Sequence, residues 1–459
     1  MSSAKADADA ATDAIDAPRP AGPLGRLMGR LGVEQRRGAV SLGWSGLAQG
    51  LGLLIKTFSS PLLAYLLSPE DFGVLAPAMA VISTLEWFSD LGVQPALLRH
   101  PEGMTPRYLL TGFSIGLGRG VALSAIVAAV AWPWAALNRS PALTPILLAL
   151  SLRSAIVALR SPALAKIRRE LNYRALFADE MSSLVLGTGI TLLLAWWTRS
   201  YWALVWGNLI GAAASVVASY LIAPYPVRWT WDRGVIREIS GLSRQIWVNT
   251  LLMAAYMNVD RLFGLRVVDK REMGYYVVAV GLSNNVDGVF GRVADVFYTM
   301  LARQADPGVR RRWGSGVTMA LAKYLMPALA LGIVAAPVVI RLLYDPRYVY
   351  VGVLFGILTA RVMVRSVGQI QFEFLLSTGD IRVNTAAFAL AAVAQAGLMF
   401  PLGSAYGSMG LAWAALGSTL VYSGSQTLLM RARGDARLAP LGLTCLWATA
   451  GLGAMFAVR

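Results

Sequence analysis

An all-α membrane protein, built as two six-helix bundles related by a parallel repeat, is what the sequence predicts, and three observations carry the prediction. Hydrophobic residues make up 56% of the chain and charged residues 14%, with a mean hydropathy of +0.56, too apolar for a soluble domain that must keep a polar exterior. Apolar runs of about twenty residues, the length of helix that crosses a ~30 Å hydrocarbon core, recur from Val40 to the C-terminus, without the polar/apolar alternation of a membrane barrel. A charged hairpin near residue 70 returns near residue 271, an even number of spans later.

The acidic, proline-containing start of the chain, to about Pro23, reads as a disordered tail and has no signal-peptide pattern. Leu24, Leu27, Met28 and Leu31 then share a helical face beside Arg26, Arg30 and Arg37, the pattern of an interfacial amphipathic helix or of a frayed basic leader. Thirteen spans follow, near 41–67, 72–98, 108–135, 141–165, 178–197, 201–223, 240–265, 274–302, 315–340, 348–376, 382–402, 408–430 and 438–458. The chain thus divides into a cytoplasmic leader (1–38), an N-terminal six-helix lobe (39–223), a cytoplasmic linker (224–239), a C-terminal six-helix lobe (240–433) and a possible extra span (434–459).

Loop charge orients the spans, because basic residues resist translocation. The net charge of +16 gathers in alternate loops, among them Lys166, Arg168, Arg169 and Arg174, then Arg228, Arg233 and Arg237, then Arg310, Arg311 and Arg312. Those loops and the N-terminus are expected in the cytoplasm, and a distribution of this kind addresses a membrane and not a nucleic acid. No connection is long enough for an extramembrane domain, which argues against a glycan polymerase or ligase. One cysteine, Cys445, and one histidine, His100, leave no disulfide framework and no thiolate or histidine metal site. A hydrolase or zinc enzyme is set aside, and no cofactor is expected.

Sliding Leu66–His100 by 201 positions places Gly73 on Gly274, Phe72 on Met273 and Glu86 on Asp287. Spans 4 and 10 correspond more loosely, each with two arginines, Arg153 and Arg160 against Arg361 and Arg365. Copies six spans apart share one orientation, so the substrate path is expected between two bundles related by an axis along the membrane normal.

Ionisable groups deep in a membrane cost roughly 2.5 kcal/mol or more each, and usually mark a wet, functional interior. Here they are Lys56, Glu86, Asp90, Arg119, Arg153, Arg160, Asp260, Arg261, Asp287, Arg292, Asp295, Arg361, Arg365 and Glu373. Glu86 with Asp90, and Arg361 with Arg365, are spaced i, i+4, while Arg153 and Arg160 are spaced i, i+7, so each pair projects from one helix side. Spans 1, 2, 4, 7, 8 and 10 are therefore expected around one central cavity, with the neutral spans 5, 6, 11 and 12 against lipid. Arginine suits a phosphate-bearing cargo, since its planar fork stays charged and donates two parallel hydrogen bonds. Arg153, Arg160, Arg361, Arg365, Lys56 and Arg119 are the candidate phosphate contacts. Glu86, Asp90, Asp287, Arg292, Asp295 and Asp260 are the candidates for charge balance, gating or a coupling proton or sodium ion. Several of them also fit a structural role: Asp90, Arg292 and Asp295 as ion pairs between helices, and Asp260 as a local pair with Arg261.

Trp87 and Trp247 are placed to stack on sugar rings, the remaining tryptophans forming interfacial belts. Gly46-Gly50 and Gly112-Gly116-Gly120 read as helix-packing faces. Pro61, Pro77, Pro95 and Pro162 interrupt helices 1, 2 and 4.

LLSPEDFGVLA followed by FSDLGVQPALLR, within Leu66–His100, resembles the signature of Wzx-type polysaccharide flippases of the multidrug/oligosaccharidyl-lipid/polysaccharide superfamily, and NVDRLFGLRVVDKREMGYYVVA is similar to that family's second-lobe counterpart. The likeness spans about Gly38 to Arg433. It implies a V-shaped pair of lobes that moves a polyprenyl-pyrophosphate-linked oligosaccharide between leaflets by alternating access, as a monomer, alongside a polysaccharide polymerase and a chain-length regulator. A cation-coupled exporter of small amphiphiles on the same architecture is the competing reading.

Overall fold

The computed structural model describes residues 33–89, 93–170, 172–239, 244–304, 306–378 and 381–457, so the leader up to residue 32 and Asp90 lie outside it. The described residues contain helices and no strand. The first bundle comprises α1 (Val33–Leu66), α2 (Pro69–Phe88), the short α3 (Val93–Arg99), α4 (Pro106–Leu137), α5 (Leu143–Ala158), the short α6 (Leu164–Arg169), α7 (Tyr173–Thr198) and α8 (Trp202–Ile222). After α9 (Arg233–Ile239), the second bundle runs through α10 (Arg244–Phe263), α11 (Lys270–Arg303), α12 (Pro307–Ala320), α13 (Met326–Leu343), α14 (Val351–Thr378) and α15 (Arg382–Ala432). A further helix, α16 (Ala439–Ala457), packs on α13 and α14.

Eight of the described helices are long and apolar enough to cross a membrane, α16 among them, and Gly50–Leu66 and Leu143–Ala158 are shorter apolar helices. α15 supplies two predicted spans, bent at Gly407, whose φ of 60° and ψ of −139° lie outside the helical region and favour a residue without a Cβ. α12 passes into α13 through a single π-helical stretch, Leu321–Leu325.

The charged turns of the repeat are helix caps. Ser68 and Asp71 form a capping box at the start of α2, with Pro69 in the first turn. Asp71 also accepts from the Tyr201 N–H at 2.9 Å, tying the start of α8 to the same corner. Asp269 does the equivalent work for α11, accepting from the Glu272 N–H at 2.8 Å. The two copies then diverge. α11 continues unbroken for 34 residues, whereas α2 stops at Phe88, where the Ser89 N–H bonds to the Leu85 carbonyl. Glu86 therefore sits in the last turn of a 20-residue helix, not at mid-span of one running from 72 to 98.

Leu143, Ile146, Leu147 and Leu150 of α5 form the first bundle's core with Ile82 of α2, all fully buried. α14 is the spine of the second, with Leu354, Ile357 and Met363 packed on Tyr276 of α11. α2 joins the two bundles by packing on α10 and α11. Where α2 and α11 begin they meet backbone to backbone: a Cβ on Gly73 would collide with the Lys270 carbonyl, and one on Gly274 with the Pro69 carbonyl. The glycine pair that aligns in the repeat is thus one contact seen from both sides.

Around that contact the Tyr344–Tyr348 loop of the second bundle grips the first. Tyr348 donates to the Leu67 carbonyl at 2.9 Å, Tyr344 to the Ser60 hydroxyl at 2.8 Å, and Arg347 to the Tyr65 and Ala64 carbonyls at 3.2 and 3.4 Å. Toward their other ends the helices part. Trp87 and Phe88 of α2 and Val289, Val293 and Val296 of α11 are exposed, while Val74, Ala78, Tyr276 and Val280 are buried. α2 and α11 are thus in close contact at one end and exposed at the other. α9 rests on α3 and α4. Arg107 holds Asp232 at 2.6 Å, Tyr108 bonds Glu238, and His100 stacks on Tyr108 with centroids 4.5 Å apart.

Candidate functional site

A cavity of about 600 Å³ opens inside the first bundle, between α1, α5, α7 and α8. Its charged lining is Lys56 on α1, Arg153 on α5, Arg160 in the turn after it, Arg168 on α6, and Asp179 and Glu180 on α7. α5 ends at Ala158, so Arg160 is not on the same helix as Arg153, yet both reach this space. Gly120 lets α4 approach α5 closely, because a Cβ there would stand 2.5 Å from the Ala158 Cβ and 2.7 Å from the Ser154 carbonyl oxygen. That approach sets α5 and its arginine against the end of α2.

The arginines are held by carboxylates of their own bundle. Arg153 Nη1 lies 2.6 Å from Glu86 Oε1, which also accepts from the Ser154 hydroxyl at 3.3 Å. Arg160 pairs with Asp179, whose side chain is 2% exposed. The Arg160–Asp179 pair is not saturated, since Arg160 Nε and Asp179 Oδ1 have no partner. Lys56 is exposed in the lining and has no ion pair among the described residues. Counting Glu86, four cations face three carboxylates among the described residues, a positive balance.

The expectation of one cavity ringed by all four arginines is overturned. Arg361 is buried in the second bundle, its Nε 3.3 Å from Thr419 Oγ1 and its guanidinium 5.9 Å above the Tyr256 ring. Arg365 pairs with Asp287. The i, i+4 spacing did put both on one face, but that face packs against α10, α11 and α15. Tyr256, Phe388 and Tyr422 stack there with centroids 4.8 to 5.9 Å apart. Arg119 does not line the cavity; it caps α2, donating to the Glu86 carbonyl at 2.7 Å and to Ser89 Oγ at 2.9 Å, where a helix C-terminus favours a cation.

Among the carboxylates, Asp260 accepts from Tyr276 and lies 3.9 Å from Arg261, the local pair that adjacency suggested. Arg292 and Asp295 do not bridge helices. They pair at 3.5 Å within α11, both well exposed. Trp87 is absent from the cavity wall, which has no aromatic residue among the described ones; the Trp247 side chain and Asp90 lie outside the described residues. Gly46 and Gly50 have open space where a Cβ would stand, so that face is unpacked.

Two features escaped the sequence reading. α7 was expected against lipid, yet it carries Asp179 into the bundle, and Arg168, read only as a loop charge, reaches the cavity. A single aspartate at the end of a predicted span looks like a residue reaching for headgroups; only its 19-residue separation from Arg160 across the α6 turn hinted otherwise. A second hollow, about 380 Å³ and almost wholly apolar, lies on the far side of α1 against α11 and α13, lined by Leu53, Thr57 and Pro61 with Val286, Phe290 and Leu343. One helix, α1, separates a charged space from an apolar one.

Residues 62–351 match the family described as "Polysaccharide biosynthesis protein". The succinoglycan biosynthesis transport protein ExoT of Rhizobium meliloti is 27% identical over 205 residues, 44% of this chain and 40% of that protein. The lipopolysaccharide biosynthesis protein WzxC of Escherichia coli is 21% identical over 252 residues, 52% and 49% of the two chains. The matches thus span half or less of those relatives. In fold, the chain is similar to the lipid II flippase MurJ in an inward closed conformation, at a TM-score of 0.68 and 13% identity over 92% of this chain and 93% of that one. It is also similar to an inward-facing multidrug transporter of the same superfamily, at 0.62 and 13% over 89% and 96%.

Proposed function

Because the chain belongs to the family of polysaccharide biosynthesis proteins, we propose that it flips a polyprenyl-pyrophosphate-linked oligosaccharide from the cytoplasmic to the outer leaflet of a bacterial inner membrane. The observation that carries this reading is the positive cavity of the first bundle, where Lys56, Arg153 and Arg160 converge. Hydrogen bonds to charged groups contribute about 1.5–3 kcal/mol each, so two arginines and a lysine hold a pyrophosphate firmly. The phosphates displace Glu86 and Asp179 as partners of Arg153 and Arg160, which supplies a reason for these carboxylates: they keep the empty site from standing as bare buried charge.

The positive-inside distribution supports an orientation with the sealed end outside and the exposed end of the helices toward the cytoplasm. On that orientation the cargo enters from the inner leaflet, its head in the charged cavity and its isoprenoid chain in the apolar hollow across α1. Alternating access then consists of opening the Gly73–Gly274 contact while the parted ends close. Arg361 and Arg365 act within the second bundle and leave the cargo to the first.

Reconstitution in proteoliposomes with a fluorescent lipid-linked sugar tests this. The protein accelerates translocation over empty liposomes, and Arg153→Ala and Arg160→Ala each reduce the rate at least tenfold. Translocation at the protein-free rate overturns the reading. Efflux of small cationic amphiphiles that survives both arginine changes would identify the exporter instead.

A further inference from the structure

We propose that the α7–α8 wall of the cavity recognises the hydroxyls of the sugar next to the pyrophosphate, so that the first bundle selects the cargo as well as holding its charge. The inference rests on the flippase reading above.

Four polar groups on that wall keep hydrogen-bonding capacity that no described residue uses. The Ser183 and Thr188 hydroxyls have no hydrogen bond among the described residues, and Asn208 spends its Nδ2 on the Leu204 carbonyl at 3.0 Å and keeps its Oδ1. Asp179, 2% exposed, retains an unpartnered Oδ1 beside them. Ser183, Thr188 and Asn208 are half-buried and face the cavity, while the buried Asp179 oxygen lies away from water, where an unsatisfied polar group costs several kcal/mol. A row of them on helices otherwise apolar enough to span therefore points to an occupant rich in hydroxyls, each able to donate and accept.

The wall is also shaped for contact. A Cβ on Gly211 would stand 3.1 Å from the Gly187 Cα, and one on Gly207 would collide with Thr191. The two helices therefore pack at close range. Among the described residues no aromatic side chain lines the space, so on this wall recognition falls to hydrogen bonds. The volume of about 600 Å³ lies within the roughly 300–1,000 Å³ of pockets that enclose small ligands, and leaves room for a sugar beside two phosphates.

Full-length protein in nanodiscs, titrated with geranyl diphosphate and with geranyl diphosphate linked to glucose, galactose or N-acetylglucosamine, tests the proposal. At least one sugar-bearing probe is expected to bind more than tenfold tighter than the bare diphosphate. Thr188→Val with Asn208→Leu collapses that ratio toward one, and Ser183→Ala, the smallest change on the wall, lowers it in the same direction. Wild-type protein that binds bare and sugar-bearing probes alike overturns the inference, as does a double variant that weakens all probes equally, which marks a packing role. Bare diphosphate that fails to bind, or binds Arg153→Ala equally well, overturns the flippase reading and this one with it.

Discussion

Gly73→Ala asks whether the sealed end is closed by backbone contact. A Cβ at 73 would collide with the Lys270 carbonyl oxygen and stand 2.8 Å from its carbon and 2.9 Å from the Gly274 nitrogen. Carbon needs roughly 3.5 Å from such atoms, so α2 and α11 must separate by on the order of 1 Å. Every obstructing atom is backbone, so no side chain can swing aside. Overpacking of this kind costs about 1–3 kcal/mol, borne by the sealed state alone because parted helices admit a methyl group freely. The ratio of sealed to opened molecules therefore falls roughly 5- to 150-fold. Spin labels at Glu70→Cys and Arg271→Cys, in a Cys445→Ala background, report the separation by double electron–electron resonance; the Arg271–Glu70 pair they replace, 3.8 Å apart and exposed, contributes little. Gly73→Ala shifts the distribution to longer distances, Gly274→Ala does the same, and the double change is less than additive because one contact is shared. An unchanged distribution refutes the reasoning.

Tyr348→Phe removes the fully buried bond to the Leu67 carbonyl and destabilises the sealed state by about 1 kcal/mol, measurable in the same resonance experiment as a smaller shift. Glu86→Gln frees Arg153 from its 2.6 Å partner and tightens geranyl diphosphate binding about tenfold while slowing translocation; unchanged affinity would remove Glu86 from its role as internal counter-ion. At the linker, the hydrogen bond from Arg107 holds the Asp232 carboxyl down at about 2. Being depressed, this group stabilises the α9 contact fully above the ordinary carboxylate range of about 4 and loses it as pH falls through about 2. Trypsin cleavage after Arg233 and Arg237 is therefore slow at neutral pH and speeds up in Arg107→Ala.

The apolar runs were legible because they carry their own evidence: each predicted span overlaps a described helix, eight of the helices being long and apolar enough to cross a membrane, and the slide of 201 positions brings together two glycines that prove to touch. Pairing was less legible. Helical spacing places Arg361 and Arg365 on one face but does not say what covers it, and Tyr256 and Thr419, which lie over Arg361, come from helices distant in sequence. The break after Phe88 was hidden because the apolar run continues through Val93, Ala96 and Leu97. Asp179 shows the opposite failure: it lies at the edge of a span read as neutral and lipid-facing, and only the fold, by bringing α7 under the turn that carries Arg160, makes it a buried partner.

The grip of the Tyr344–Tyr348 loop on the α1–α2 corner also sets an energy scale for the transport cycle. It comprises four hydrogen bonds across the cleft, each contributing roughly 1 kcal/mol, so releasing that end costs on the order of 4 kcal/mol. Unaided, about one molecule in a thousand would stand released. One elementary charge crossing 100 mV delivers only about 2.3 kcal/mol, so a single ion moving down the membrane potential falls short. On the proposed function, the remainder comes from binding of the cargo, which ties release of the latch to a loaded site.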